Sequence, residues 1–323
     1  VTATTLTDAD LVDLVGAAVR APSIHNTQPW LFRLRDGAIE VLADQRRWLP
    51  VTDPTRWAMR MSCGAALFNL RLALAMRGTP AEVRLRPSPR DVDLLARLTL
   101  GQPRPASPED ELLYAAIHER RSSREPFWPD PVPAQVRARL VAAARAEGAW
   151  LELLIGREPV AALAEIAQAA DRVLARIPGY LDELSSWTRR DTDPDGVPAS
   201  AGGPSPEPQD LLPQRPFGAP RAPGRDYESE PLVAVLGTAG DAPVDQLAAG
   251  QALQRVLLTA TDSGLATSML SQPIEVASAR EQLRLALGRF GAPQMVLRIG
   301  YGQPGSPTPR RDPNDVIVPS SFG

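Results

Sequence analysis

Apolar positions along the 323-residue chain recur in two rhythms, and their order predicts helices alternating with short strands. Leu11, Val15, Ala18 and Val19 form one stripe of a helix predicted over Asp8–Arg20, with Thr7 as its cap. The pattern breaks at Ala21-Pro22-Ser23. An apolar, hairpin-like pair follows, Trp30–Leu34 and Ala38–Leu42, around the turn Asp36-Gly37. A second long helix is predicted over Trp57–Arg77, stopped by Gly78, and then strands near Ala81–Leu85 and Leu95–Leu100. Ser107-Pro108-Glu109-Asp110 starts the next helix, with a capping serine, a first-turn proline and acids that suit the helix dipole. That helix is read to Arg121. A helix over Ala134–Ala146, strands Trp150–Ile155 and Leu232–Leu236, a helix Val244–Ser263 ending at Gly264, and a last strand Gln294–Gly300 complete the reading.

The second series echoes the first. Gly64-Ala65-Ala66-Leu67 matches Gly250-Gln251-Ala252-Leu253 at an offset of 186, and Leu72 and Gly78 match Leu258 and Gly264 at the same offset. Gly101-Gln102-Pro103 resembles Gly302-Gln303-Pro304. The period is far longer than a solenoid's, so the expectation is two related domains, 1–105 and 106–323; chance similarity between alanine-rich helices is the competing account. Each half carries something the other lacks. The first has a long loop, Ala21–Pro29, that the second shortens to Ala146-Glu147-Gly148-Ala149. The second opens with a helix and arginine segment absent from the first. One stretch, Ser185 to Arg225, belongs to neither: 9 of its 41 residues are proline, too many for an ordinary connection of about 4–6 residues. Trp187, Leu211, Leu212 and Phe217 give it apolar anchors that a plain linker does not need, so a lid is expected there.

Composition narrows the functions. A net charge of −3 gives no basic field for nucleic acid, and no apolar run approaches the roughly 20 residues that span a bilayer. The lone Cys63 allows no internal disulfide, and the first residues lack a signal-peptide pattern, so a cytoplasmic protein is expected. Two histidines, His25 and His118, make a Cys/His zinc site improbable, and no metal is expected. The chain has no lysine at all, which excludes a Walker-type phosphate loop and a Schiff-base lysine; any phosphate site must use arginine.

Two segments carry candidate chemistry. Leu113, Ala116, Ile117 and Arg120 share one helical stripe, so the Arg120 head is aimed inward, where it needs an anion. Arg124 and Ser122 could meet the same anion; the alternative is a set of ordinary helix-end cations. The loop Pro22-Ser23-Ile24-His25-Asn26-Thr27-Gln28-Pro29 gathers short polar side chains that suit a heteroaromatic edge, or simply a hydrogen-bonded turn.

At these residues a resemblance becomes specific. APSIHNTQPWLF (21–32) resembles the APSxxNxQPWxF signature of the nitroreductase superfamily, ERRSSREPF (119–127) its RRSxRxF segment, and GYGQPGSPTPRR (300–311) its GYP…(K/R)xR ending. The order is permuted, because RRSxR normally precedes APSxxN; the fused, permuted form is similar to the Acg-type subfamily, in which a pseudo-dimer holds one FMN. The resemblance implies an α+β sandwich of the nitroreductase-like fold in two degenerate fused copies. It implies FMN held by Arg120, Arg121, Ser122 and Arg124, by Arg310 or Arg311, by the segment Pro22, Ser23, His25, Asn26 and Gln28, and by Ser271 and Gln272 near flavin N5. No protein side chain is assigned a catalytic role. The implied reaction is ping-pong, with NAD(P)H reducing the flavin and the flavin reducing a small organic acceptor. A silent flavin-sequestering protein with a closed lid is the alternative. One chain would suffice for one flavin site.

Overall fold

The computed structural model describes residues 6–205, 207, 210–215, 217, 227–228 and 231–320. The parts of the 185–225 insert beyond these lie outside the described residues.

In the first part of the chain, α1 (Asp8–Ala18) starts at Thr7, whose hydroxyl accepts from the Asp10 amide. β1 (Trp30–Arg35) and β2 (Ala38–Ala43) pair antiparallel, and the buried helix α2 (Trp57–Met76) follows. β3 (Ala81–Leu85) and β4 (Leu94–Leu100) complete an antiparallel sheet of order β1-β2-β4-β3. Then come α3 (Pro108–Glu119), α4 (Ala134–Ala146), β5 (Trp150–Leu154), α5 (Arg157–Leu174) and α6 (Tyr180–Ser186). The insert contributes a two-residue pair, β6 (Thr188–Arg189) and β7 (Val197–Pro198). β8 (Leu232–Thr238), α7 (Pro243–Asp262), β9 (Ala266–Leu270), α8 (Gln272–Glu275), α9 (Ala277–Ala286), β10 (Ala292–Gly300) and α10 (Pro313–Val316) follow. The second antiparallel sheet has the order β5-β8-β10-β9. The α+β class read from the sequence holds.

The sequence pattern missed α5, α6, β9 and α9. α5 carried a legible signal: Val160, Leu163, Ala164, Ala167, Ala170 and Leu174 are its buried stripe. In β9, Thr267 and Ser268 are buried and break the apolar run that a strand reading needs.

Two large apolar cores form among the described residues, beside three small clusters. The first gathers α1, β1, β2 and α2, together with Leu113, Ala116 and Ile117 of α3, Leu258 of α7 and Val316 of α10. The second lies among α4, α7 and the second sheet, and takes in Leu212 of the insert. Between them α2 crosses α7 at very close range. A Cβ on Gly64 would strike the Leu247 carbonyl oxygen, and one on Gly250 would strike that of Met61. The same crossing is bridged by Arg60 Nε to Gln246 Oε1 (2.7 Å) and Gln254 Nε2 to Asn69 Oδ1 (2.7 Å). The chain then returns: Val318 donates its amide to the Phe32 carbonyl of β1 (2.8 Å), so the segment after β10 straps the second sheet to the first. Among the described residues, no helix is long and apolar enough to cross a membrane.

Candidate functional site

The loop after α1 departs from ordinary backbone geometry. His25, Asn26 and Gln28 have φ of 47°, 53° and 51°, the left-handed region that costs most side chains energy. Side-chain hydrogen bonds offset that cost. Asn26 Nδ2 donates to the Gly196 carbonyl (2.9 Å) in the insert and to the Pro309 carbonyl (3.1 Å) in the returning segment. Gln28 Nε2 donates to the Pro194 carbonyl (2.9 Å), while its Oε1 accepts from the Arg311 amide (2.8 Å). Ser23 Oγ accepts from the Gln28 amide (2.9 Å). Asn26 and Gln28 therefore clamp insert and tail to the loop, and the face they present is turned to backbone.

Beside the loop lies a group of arginines. α3 ends at Glu119 and Arg120 caps it; the stripe of Leu113, Ala116 and Ile117 carries the Arg120 side chain inward, where it is 3% exposed. Among the described residues its Nε and Nη1 have no hydrogen-bond partner, and Nη2 reaches only the Arg20 carbonyl at 3.5 Å. Arg310 also reaches the Arg20 carbonyl (3.4 Å) and donates to Asn26 Oδ1 (3.1 Å), and its Nε is unpartnered. Burial, then the charge of Arg121, pulls the Arg120 guanidinium down to about 10. Burial, then Arg120, Arg20 and Arg121, pulls Arg310 down to about 9. These shifts are the signature of cations gathered without an anion. Arg311 differs: it pairs with Asp44 (3.6 Å) and donates to the Gln28 and Asp315 carbonyls. Of the two tail arginines, Arg310 joins the cluster and Arg311 holds the tail.

Around the corner is a cavity of about 80 Å³. Pro22, Ser23 and His25 of the loop line it, as do Arg124, Ser271 and Gln272, so six of the residues read from sequence meet there. Ser122 is placed by a parallel bridge to Thr267, and the Ser123 amide donates to the Thr267 carbonyl (2.8 Å), which docks the arginine segment on β9. Gln214, Arg215 and Phe217 of the insert form the opposite wall. Arg215 Nη2 donates to the fully buried Glu275 carboxylate (2.6 Å), and Nη1 contacts His25 Nε2 (2.6 Å). Burial works against the Arg215 charge, but Glu275 and Tyr180 overcome it and hold the guanidinium above its ordinary range. Arg124 lies over the Phe217 ring (5.1 Å) and donates to the Ala201 carbonyl (2.7 Å); burial, then Arg215, pulls it down to about 10. Burial, then Arg215 and Arg124, holds the His25 imidazole well below its ordinary range, so it is neutral.

Sequence reasoning missed Arg215, Gln214 and the acid Glu275 as a set. Arg215 sits between prolines in a stretch with no periodicity, so nothing marked it as inward-facing. Of the insert's four apolar anchors, Leu212 and Phe217 are buried, Leu211 packs against the second core, and Trp187 lies between Arg47 (5.9 Å) and Arg189 (5.3 Å).

No protein-family model matches the chain. It is 38% identical over 325 residues to a Mycobacterium tuberculosis protein provisionally named NAD(P)H nitroreductase, covering 96% of this chain and 92% of that one. A second M. tuberculosis protein with a provisional nitroreductase name, Acg, is 29% identical over 322 residues, 97% of each chain. Among solved structures, the FMN and NADPH-dependent nitroreductase NfnB of Sphigopyxis sp. strain HMH aligns at 21% identity over 65% of this chain and 99% of its own, with a TM-score of 0.42. With 38% identity to the first of these relatives over nearly the whole of both chains, and with all three signature segments in place around one arginine cluster and one cavity, the chain belongs to the nitroreductase superfamily, alongside the mycobacterial Acg-type proteins.

Proposed function

We propose that the chain is an FMN-dependent oxidoreductase that takes hydride from NAD(P)H and delivers it to a small organic acceptor, with one flavin per chain. The observation that carries this reading is the buried Arg120 with two unpartnered N–H groups beside Arg310, Arg20 and Arg121. A set of buried cations that lowers the proton affinity of its own members wants a multivalent anion, and arginine grips phosphate with paired hydrogen bonds. Arg120 and Arg310 would hold the phosphate, Arg121 and Arg20 would face its outer oxygens, and Asn26 would fix Arg310. Ser23, Arg124, Ser271 and Gln272 would border the ring. When bound, FMN supplies the two-electron chemistry, and the protein binds, orients and shields it.

The ring end fits in chemistry but not in size as the insert is seated. Small-molecule sites run from about 300 Å³, several times the 80 Å³ found here. Ring binding therefore requires the segment Gln214–Phe217 to move outward. That same seal supports the second reading, a protein that keeps FMN but turns over slowly or not at all, with the insert as a lid. The symmetry of the α2–α7 crossing supports a fused pair: Gly64 opposes Gly250 and Arg60 bonds Gln246, both at the offset of 186 seen in the sequence.

The test is direct. The purified full chain should be yellow, with one FMN per chain, and Arg120→Ala should lose it. Anaerobic addition of NADH or NADPH should bleach the flavin, and a small quinone should restore the colour. A flavin that stays oxidised under both nicotinamides selects the sequestering reading, and a chain that binds no FMN removes both.

A further inference from the structure

Two side chains of the insert, Arg215 and Phe217, both rest against His25 in the cavity wall. Phe217 meets the imidazole edge-on, with ring centres 5.5 Å apart, and Arg215 Nη1 lies 2.6 Å from His25 Nε2. A guanidinium only donates, so that contact needs the lone pair of a neutral ring, and the ring proton must sit on Nδ1. Among the described residues Nδ1 has no acceptor, and His25 is 5% exposed, so nothing in the wall steadies a charged ring. An imidazolium donates from both nitrogens and accepts at neither. Protonation of Nε2 would therefore turn the 2.6 Å contact into two cations facing each other. Arg215 Nη2 is bonded to the Glu275 carboxylate (2.6 Å), so the head cannot back away from the ring without giving up that carboxylate. The other charges around the contact come from several elements. Arg124, after α3, joins Arg215 in opposing a charged His25. On the far side of Arg215 stand Glu275 of α8, Asp171 of α5 and the Tyr180 hydroxyl of α6, and Asp53, before α2, faces Glu275. Arg215 lowers the proton affinity of Asp171 as well as that of His25, so its departure would raise both, and a stranded Glu275 would be discharged by a proton too.

We infer that His25 is a proton-operated latch on the insert: neutral, it accepts from Arg215 and keeps Arg215 and Phe217 seated across the ring position; protonated, it repels Arg215 and lets them leave. The latch rests on the seated geometry alone. That its release admits the flavin ring rests on the flavin-binding reading above, which requires this part of the insert to move outward. The sign is fixed by the contact. The seated state holds His25 without its second proton, and burial, then Arg215 and Arg124, keep it so. The released state carries the proton more readily. Seating is therefore fully present above the ordinary imidazole range and is lost as pH falls through it. For one proton with an ordinary value near 6.5 in the released state, the seating equilibrium should weaken about tenfold between about pH 7.5 and about pH 5.5. Proton uptake at Asp171 or Glu275 on release would act in the same direction.

Amide hydrogen exchange on the cofactor-free full chain reads the latch directly. After correction for intrinsic rates, protection of the Arg215 and Phe217 amides should fall about tenfold from about pH 7.5 to about pH 5.5 in the wild type, while the amides of α2 hold theirs. In His25→Asn, which tolerates left-handed backbone and cannot take up a proton, the same amides should lose far less. Imidazole proton shifts give a second readout that needs no change at the latch, because the chain has only two histidines and His118→Gln leaves His25 alone. The ring should gain its proton over the range in which protection is lost. Protection that stays within about twofold, an equal fall in His25→Asn, or a His25 that protonates while the segment stays protected each overturns the latch. The link to the flavin is tested by stopped-flow FMN binding. The ratio of the wild-type rate to the His25→Asn rate should rise several-fold as pH falls, a comparison in which the titration of the flavin's own phosphate cancels. A constant ratio overturns the link. A chain that takes up no FMN removes the functional reading, and the exchange experiment still decides the latch.

Discussion

Two buried arginines in this protein live under opposite conditions. Arg215 arrives on the insert and finds Glu275, a carboxylate with no exposed side-chain surface, so its charge is answered from within the chain. Arg120 arrives at the end of α3 and, among the described residues, finds only other arginines and one distant carbonyl. A chain that pairs one buried guanidinium so closely and leaves the other bare has separated two tasks. The paired one closes a wall, and the other, on the proposed reading, is kept for an anion from outside.

The sharpest way to break that contrast is to remove one partner from each site. Glu275→Leu should strand Arg215 and cost about 3–5 kcal/mol of stability in urea unfolding, as breaking buried pairs does. Arg120→Met should leave the stability of the cofactor-free chain unchanged or higher, because it deletes a charge that has nothing to lose. If Arg120→Met destabilises as much as Glu275→Leu, Arg120 is part of the scaffold and not a ligand group.

The next effect concerns affinity. Arg120→Met should weaken FMN by about 10- to 100-fold, the equivalent of ~1.5–3 kcal/mol for a lost charged hydrogen bond, read by flavin fluorescence titration. Arg311→Met should weaken it far less, because Arg311 is tied to Asp44 and the tail.

A smaller effect separates two parts of the insert. Pro194 and Gly196 hold the Asn26 and Gln28 clamp, whereas Gln214, Arg215 and Phe217 line the cavity. Replacing 204–226 by a short Gly/Ser bridge should retain FMN and speed its reduction by NAD(P)H several-fold. Extending the replacement back to 191 should in addition loosen the loop and lower FMN affinity. Half-reaction rates that match the wild type in the shorter replacement would show that the insert does not gate the site.

The smallest effect is in pH. Arg120 and Arg310 titrate near 10 and 9 when folded, well below the range of an arginine in the unfolded chain. Between those values the unfolded chain binds more protons, so stability rises with pH from about 9 upward, and the penalty is fully present below that. The cofactor-free wild type should show this rise and the Arg120→Met, Arg310→Met double variant should lack it. FMN should flatten it, by keeping both arginines protonated.

The contrast also explains what the sequence could reveal. Arg120 was legible because Leu113, Ala116 and Ile117 set a helical phase, and an arginine that continues an apolar stripe is anomalous at first sight. The glycines Gly64 and Gly250 were legible as a repeat, although their opposition across two helices needed three dimensions. Arg215 offered no phase to violate. Its neighbours are prolines, its partner Glu275 is 60 residues away, and its third contact, His25, is 190 away. The loop of Asn26 and Gln28 reads from sequence either as a heteroaromatic edge or as a hydrogen-bonded turn, and in the structure both side chains grip carbonyls of the insert or the tail, because a strained loop needs its own side chains to hold it. Residue type announced polarity there, but not direction.

The strap from β10 back to β1 has a temporal consequence. Asn26 and Arg310 stand 284 residues apart in the chain and touch in the folded protein. A ribosome delivers the loop around Asn26 early, and Arg310 only after some 280 further residues have been joined. Throughout that interval the first core can begin to pack, but the arginine set is short of a member and the loop lacks the backbone oxygen of Pro309 that steadies it. On the proposed reading, an anion could be gripped by the full set only once the segment around residue 310 is free to fold back. A segment made late then completes a site that the early loop began.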